Sequence, residues 1–439
     1  MYLQRNGFNI ELICMTCQTN RTQISFNEGV RDCFNWDTNQ VALMNGAFFW
    51  GYAVSQAISG IIMHEIGLRF SINCAIFLSS ISTFLIPFTV YGGYNLIIFL
   101  RLITGIGQGF LWPYIQSIVA YWSPENERSV HMAIITCGIG LGPAIAFLLS
   151  GVFCELSIPY SKYVFGRNGW AMYFYFSGLI GLLDLLLSVL FLTDTPAENK
   201  YISKSEANYI CSHVRGATKN KDVTTKISIN WLGILKSVTV WTFLSALVLC
   251  DVGLYAVWTI IPQFMNDIIQ FDITKNGLYN SLPYIFHVVA IIGTGFLSTY
   301  IISKRHWVSH SSACKMFHAT GCIGSAICLI SISFTNSSLQ AVAILMLIVG
   351  FTFHGLIIGG GVVLNCNDFA GSLSGVVFTI GNTASAITGF FVPFITAKIV
   401  TNSTAVQWRY AFIVELQWWA MLPESKLEED RNTQNSDTN

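Results

Sequence analysis

Ten or eleven stretches of this 439-residue chain are each apolar enough, and long enough, to cross a bilayer, and most are joined by short loops. A hydrocarbon core about 30 Å thick requires roughly 20 apolar residues per spanning helix, because inside it only helices and closed barrels can satisfy the backbone. A polytopic all-α membrane protein follows. Hydrophobic residues make up 53% of the chain and charged ones 10%, against about a quarter charged in soluble domains. Transporter and channel are the leading classes, with receptor behind them.

The 23 Lys and Arg balance the 23 Asp and Glu, so the basic surface that nucleic acid demands is missing and no nucleic-acid partner is expected. Most of the twelve cysteines, such as Cys74, Cys137, Cys250, Cys322 and Cys328, lie in apolar runs, where cysteine acts as a small hydrophobe. Cys14 and Cys17 form a lone CxxC with no second pair or flanking histidine, which gives neither a zinc site nor a redox fold. No metal site, cofactor motif or signal peptide is read from the sequence. Phosphate-binding loop, HExxH and nucleophile-elbow patterns are missing too, which leaves nucleotide-driven transport and hydrolysis without support.

The expected spans are 41–63, 70–91, 94–118, 129–153 and 170–192, then 238–261, 277–302, 314–334, 339–363 and 371–400, with a short remnant at 408–422. Between the two groups lies a polar stretch, 193–237, holding seven Lys and Arg. The tail from Glu424 to Asn439 is polar and acidic and is expected to be disordered. The division is therefore an N-terminal segment 1–40, a bundle 41–192, a central loop 193–237, a second bundle 238–422 and a tail 423–439.

Two signals orient the chain. The central loop and the loop with Lys304, Arg305 and Lys315 concentrate basic residues, which places them in the cytosol. Alternate crossings then put residues 1–40, 335–338 and 401–407 on the opposite, lumenal or extracellular, side. Those segments hold the three N-x-S/T sequons, at Asn20, Asn336 and Asn402, which are glycosylation candidates only on that side.

A cytosolic loop between two helix groups is the layout of a carrier built from two halves. Specific wording joins this pattern. Phe34, Asn35, Trp36 and Asp37 are followed by Gly46 to Tyr52, then by Arg101 to Gly109, Trp122 to Ser129 and Ser150 to Cys154. Beyond the loop come Ser281 to Tyr284, Phe369 to Gly371, Thr388–Gly389 and Trp408–Arg409. In this order the fragments resemble the sialin, vesicular glutamate and sodium-phosphate cotransporter family of the major facilitator superfamily, over roughly residues 34–412. The resemblance implies two six-helix bundles rocking about a central cavity, an organic or inorganic anion as substrate, and H+ or Na+ (or membrane voltage) as the driving force. It leaves open which anion and whether the membrane is lysosomal, vesicular or plasma.

Arg101 lies about seven residues into its span, roughly 10 Å deep, where a charge is costly and usually functional. Its planar fork suits a carboxylate or phosphate, and it matches the arginine that the family keeps there for substrate. Gln108 is two turns on, on the same face. Proton-coupled relatives have glutamate at this place; glutamine does not titrate, and it reads equally as a helix–helix hydrogen bonder. Asn45 stands where the glutamate carriers have histidine and offers hydrogen bonds without a pH switch. Tyr52 and Tyr255 complete the expected lining. Asp251, near the middle of its span, reads as a proton or sodium site, as a partner of Arg101 across the cavity, or as a displaced helix end. Asp184 is read as neutral, buried or lipid-adjacent; His287 and His354 as satisfied polar residues at helix contacts; and Gly355, Gly359, Gly360 and Gly361 as packing positions.

Three departures from the family stand out. The loop after the first complete span, Gly60 to Arg69, carries a degenerate latch signature, and Leu297 to Tyr300 lacks its acid. Residues 1–40 hold no 20-residue apolar span, although the family's first helix carries a substrate-facing arginine. The last helix is reduced to 408–422 and contains Glu415. The chain thus reads as a twelve-helix carrier lacking its first helix, either an incomplete gene model or a divergent, non-transporting copy with a scaffold or regulatory role.

Overall fold

Each apolar stretch folds as a helix because a bilayer offers its backbone no other hydrogen-bond partner. The computed structural model describes residues 1–16, 34–124, 131, 134–156, 169–214, 231–301, 310–360 and 374–420. The first half contains α1 (Tyr2–Met15), α2 (Thr38–Ile66), α3 (Leu68–Thr89), α4 (Tyr94–Gln108), α5 (Leu111–Trp122), α6 (Gly138–Glu155) and α7 (Trp170–Phe191). The central loop carries α8 (Lys204–His213) and α9 (Trp231–Lys236). The second half contains α10 (Val238–Thr259), α11 (Ile261–Asp267), α12 (Ile273–Thr299), α13 (His310–Ser333), α14 (Gln340–Gly360), α15 (Ser374–Ile399) and α16 (Ala405–Ala420).

Among the described residues nine helical stretches are long and apolar enough to cross a membrane, and α4 with most of α5 forms one of them. On α7 the exposed residues Leu179, Leu183, Leu186 and Leu190 follow a helical repeat. Such a stripe would be a liability in water and is the face a bilayer covers.

With α4–α5 and α10–α11 each counted as one span, both halves contain six members that pack by one rule. The second lies on the fourth (α2 on α4, α12 on α14), the first on the fifth (α1 on α6, α10 on α15), and the third on the sixth (α3 on α7, α13 on α16). The halves meet along two seams, α2 against α15 and α6 against α12. In each seam the second helix of one half faces the fifth of the other, the relation expected of an internal repeat.

This symmetry corrects one expectation. Residues 2–15 are not part of a lumenal segment: α1 occupies the place of the first helix in the repeat. It is only 14 residues long and rich in polar side chains, so an apolar-length criterion misses it. Packing rather than propensity holds it, since Gln4, Arg5, Asn6, Asn9 and Glu11 are all buried and several find specific partners. Gln4 Nε2 donates to Ser80 Oγ at 3.2 Å, Asn9 Nδ2 to the Trp258 carbonyl at 2.7 Å, and Ser150 Oγ to Glu11 Oε1 at 2.8 Å. A disulfide joins Cys14 to Cys154 at the end of α6. By the crossing count this bond lies on the sequon side, where an oxidising compartment supports it. The CxxC reading gave no hint of it, because the partner is 140 positions away.

Phe34 to Asp37 acquire physical roles. Phe34 N donates to the Met15 carbonyl at 2.7 Å, and the Phe34 ring stacks on Trp36 at 4.9 Å, so the chain leaving α1 returns beside it. Asp37 and Gln40 form a reciprocal capping box at the start of α2. Asn336 and Asn402 are exposed in short connections. Asn20, Arg215, Lys219, Lys221, Lys226, Lys304, Arg305, Phe369 to Gly371 and the 423–439 tail lie outside the described residues.

Helices α2 and α4 touch backbone to backbone. A Cβ at Gly105 would run into the Phe48 carbonyl oxygen, and one at Gly51 into that of Leu102. Substituting Gly105 with Leu is expected to prise the pair apart at a cost of about 3 kcal/mol or more. Thermal unfolding in detergent should fall by several degrees, and an unchanged midpoint would refute the close contact.

Candidate anion-binding site

The polar centre lies where α1, α2, α4 and α10 converge. On α2, Asn45, Phe48 and Tyr52 recur at helical spacing on one face, and all three are buried. Arg5 of α1 lies under a cage of rings. Its guanidinium carbon is 4.7 Å from the centroid of Phe48, 4.8 Å from Phe49, 5.6 Å from Tyr52, 5.1 Å from Tyr255 and 4.6 Å from Trp258. Arg101 of α4 sits 4.1 Å from the Phe8 ring and 5.1 Å from Phe48. The shared Phe48 ring puts the two cations within about 10 Å of one another, close enough to repel across a poorly solvated interior.

Neither arginine forms an ion pair among the described residues, and Arg5 Nη2 and Arg101 Nε have no hydrogen-bond partner. Aromatic faces stabilise each cation by about 0.5–2 kcal/mol. They neutralise nothing. A lone charge at the centre of a spanning helix costs about 3 kcal/mol even on insertion scales, so two such charges leave a site that favours an anion.

The remaining expected residues divide. Tyr52 and Tyr255 belong to the cage. Asn45 is buried with its Oδ1 unpartnered among the described residues, so it retains an acceptor for a protonated group. Gln108 is committed elsewhere: its Nε2 donates to Gln4 Oε1 at 3.3 Å and to the Met1 carbonyl at 3.1 Å, which favours the helix-bonding role. Asp251 makes no ion pair with Arg101 among the described residues; the cation whose field reaches it is Arg5. The proposed Arg101–Asp251 pair is thereby corrected. Asp184 is exposed and lines a separate cavity of about 820 Å³ inside the first half. His287 and His354 bond one another, Nε2 to Nδ1, at 3.0 Å. Gly355 and Gly359 admit the α12 backbone and Ala290 at the α14 contact, as packing positions should.

Arg5 is the residue that sequence reasoning missed. Its signal was available in Gln4, Arg5 and Asn6 standing among apolar neighbours, a pattern suited to a helix facing a polar cavity rather than lipid. The centre also spans the α2–α15 seam, since Asn382 Nδ2 of α15 donates to the Tyr52 hydroxyl at 3.1 Å.

Residues 12–393 match the sequence profile of the Major Facilitator Superfamily. The chain belongs to that superfamily. Among curated members it is similar to sialin of Homo sapiens, 28% identical over 383 residues that cover 87% of this chain and 73% of sialin. It is also similar to vesicular glutamate transporter 1 of Bos taurus, 28% identical over 381 residues covering 87% of this chain and 65% of that protein. Solved superfamily structures share the fold. The xylose transporter XylE of E. coli, partially occluded and inward-open, superposes with a TM-score of 0.65 at 14% identity, covering 97% of this chain and 94% of XylE. An inward-facing, unoccupied bacterial homologue of the human lysosomal transporter Spinster gives 0.68 at 14% identity, with 96% and 92% coverage.

The Tyr52–Asn382 bond ties the halves together at the centre, as does the bond from Asn9 to the Trp258 carbonyl. Tyr52→Phe and Asn382→Ala should each destabilise the protein by about 1 kcal/mol, and the double substitution should cost less than their sum. Additive losses in thermal unfolding would show that the two side chains do not interact.

Proposed function

We propose that this superfamily member is a secondary active transporter of a small organic or inorganic anion, bound between Arg5 and Arg101. The observation that carries the reading is the pair of buried guanidiniums without a carboxylate partner among the described residues. Each presents a fork of donors suited to a carboxylate or phosphate. The names of the similar proteins, sialin and vesicular glutamate transporter, support the anionic class. Arg5 stands on the first helix, where the resemblance implies a substrate-facing arginine, and this supports transport over a non-transporting scaffold.

In this reading Asn45 and Tyr52 orient the anion from α2, while Tyr255 and Trp258 close over it from α10. The two seams let the halves rock about the bound anion. Asp251, one residue beyond Cys250 on α10 and within the field of Arg5, is the candidate site for the coupling H+ or Na+.

Purified protein in liposomes should take up at least one of sialic acid, glutamate or phosphate saturably under an imposed proton, sodium or voltage gradient. Arg5→Ala and Arg101→Ala should each lower that uptake at least about tenfold with the protein still monodisperse, and lysine should restore little because it lacks the fork. Gradient-driven uptake of no anion by correctly inserted wild type would overturn the reading. Asp251→Asn should abolish acceleration by the gradient while sparing anion exchange at equal concentrations; full gradient dependence in that variant would remove Asp251 as the coupling site.

A further inference from the structure

A second chemical cluster lies in the other half of the molecule, away from the arginines. Cys250 of α10 faces His318 and Cys322 of α13, which are one turn apart on the same helical face. The sulfurs of Cys250 and Cys322 are 3.5 Å apart. His318 Nε2 lies 3.9 Å from Cys250 Sγ and 3.7 Å from Cys322 Sγ. Zinc–sulfur bonds of about 2.3 Å and zinc–nitrogen bonds of about 2.0–2.1 Å at tetrahedral angles require edges of about 3.8 Å between sulfurs and about 3.6 Å from sulfur to nitrogen. Every edge of the observed triangle falls within about 0.3 Å of one face of that tetrahedron.

We propose that Cys250, His318 and Cys322 bind one zinc ion, with the fourth position left to water or another small ligand. The ligand chemistry selects the metal. Thiolate and imidazole donors together suit zinc or copper rather than magnesium or calcium. Two thiolates and a neutral imidazole around a divalent ion sum to zero charge, whereas monovalent copper on the same donors would leave a net negative charge. The surroundings include Phe243, Leu247, Ile357 and Phe378, and such an apolar wall penalises net charge. Binding releases the two thiol protons and leaves one histidine nitrogen to carry the remaining ring proton. That nitrogen, His318 Nδ1, is buried without a hydrogen-bond partner among the described residues.

The ion would staple α10 to α13 inside the second half, one residue before Asp251 and about one turn before Tyr255. The site does not depend on the transport reading, because it lies in one half and needs no substrate.

The test is metal analysis of full-length protein purified in detergent through a histidine-free tag. About one zinc per chain is expected, falling to background in the Cys250→Ser/Cys322→Ser variant and in His318→Ala. Because those variants risk misfolding, cobalt replacement in the wild type gives a second readout: sulfur-to-cobalt charge-transfer absorption that zinc then displaces. Absence of zinc together with absence of that band would overturn the proposal. Stoichiometric copper in place of zinc would overturn it as well, as would a Cys250–Cys322 disulfide found by peptide mapping without reductant.

Discussion

Two guanidiniums held at the middle of a membrane protein, without a carboxylate to meet either among the described residues, set the terms for everything around them. Arg5 and Arg101 share the ring of Phe48, and the other aromatic groups crowd about Arg5 because a π face tolerates a cation without discharging it. The polar residues of α1 then fall into place. They line a helix that faces protein on all sides, and Ser80, Ser150, Ser177 and the Trp258 carbonyl are their bonding partners. A short, polar first helix is stable here because its neighbours supply what lipid would deny.

The internal repeat explains how such a centre is held between two similar halves. Contacts within each half are dense and partly backbone to backbone, as between Gly51, Gly105 and the facing helix. The most extensive contacts between the halves run along two seams, and α1 adds a smaller set against α10. The Gly151–Gly277 approach and the Thr274-to-Gly151 hydrogen bond mark one, and the Tyr52–Asn382 bond marks the other. Two packed halves that meet along discrete helix pairs are suited to rigid-body rocking.

Much of this was legible in the chain. Helices α2 to α7, α10 and α12 to α15 announce themselves by apolar length, and Arg101 by its depth within one of them. Helix α1 was illegible by that measure because burial against protein replaces burial in lipid. The Cys14–Cys154 bond and the Cys250–His318–Cys322 triangle were illegible for another reason: their members lie far apart in sequence, and only tertiary packing brings the atoms together. A lone HxxxC is common enough to mean nothing until a third donor arrives from another helix.

The covalent tie at Cys14 has a mechanical consequence. With its C-terminal end pinned to α6, α1 is a lever with its fulcrum at Cys154. Arg5 lies nine residues from Cys14, an arm of about 14 Å, so a tilt of about 10° sweeps its charge by about 2 Å. Small rotations at the pinned end would thus be enough to move the guanidinium across the faces of its aromatic cage, while the lever itself stays anchored to α6.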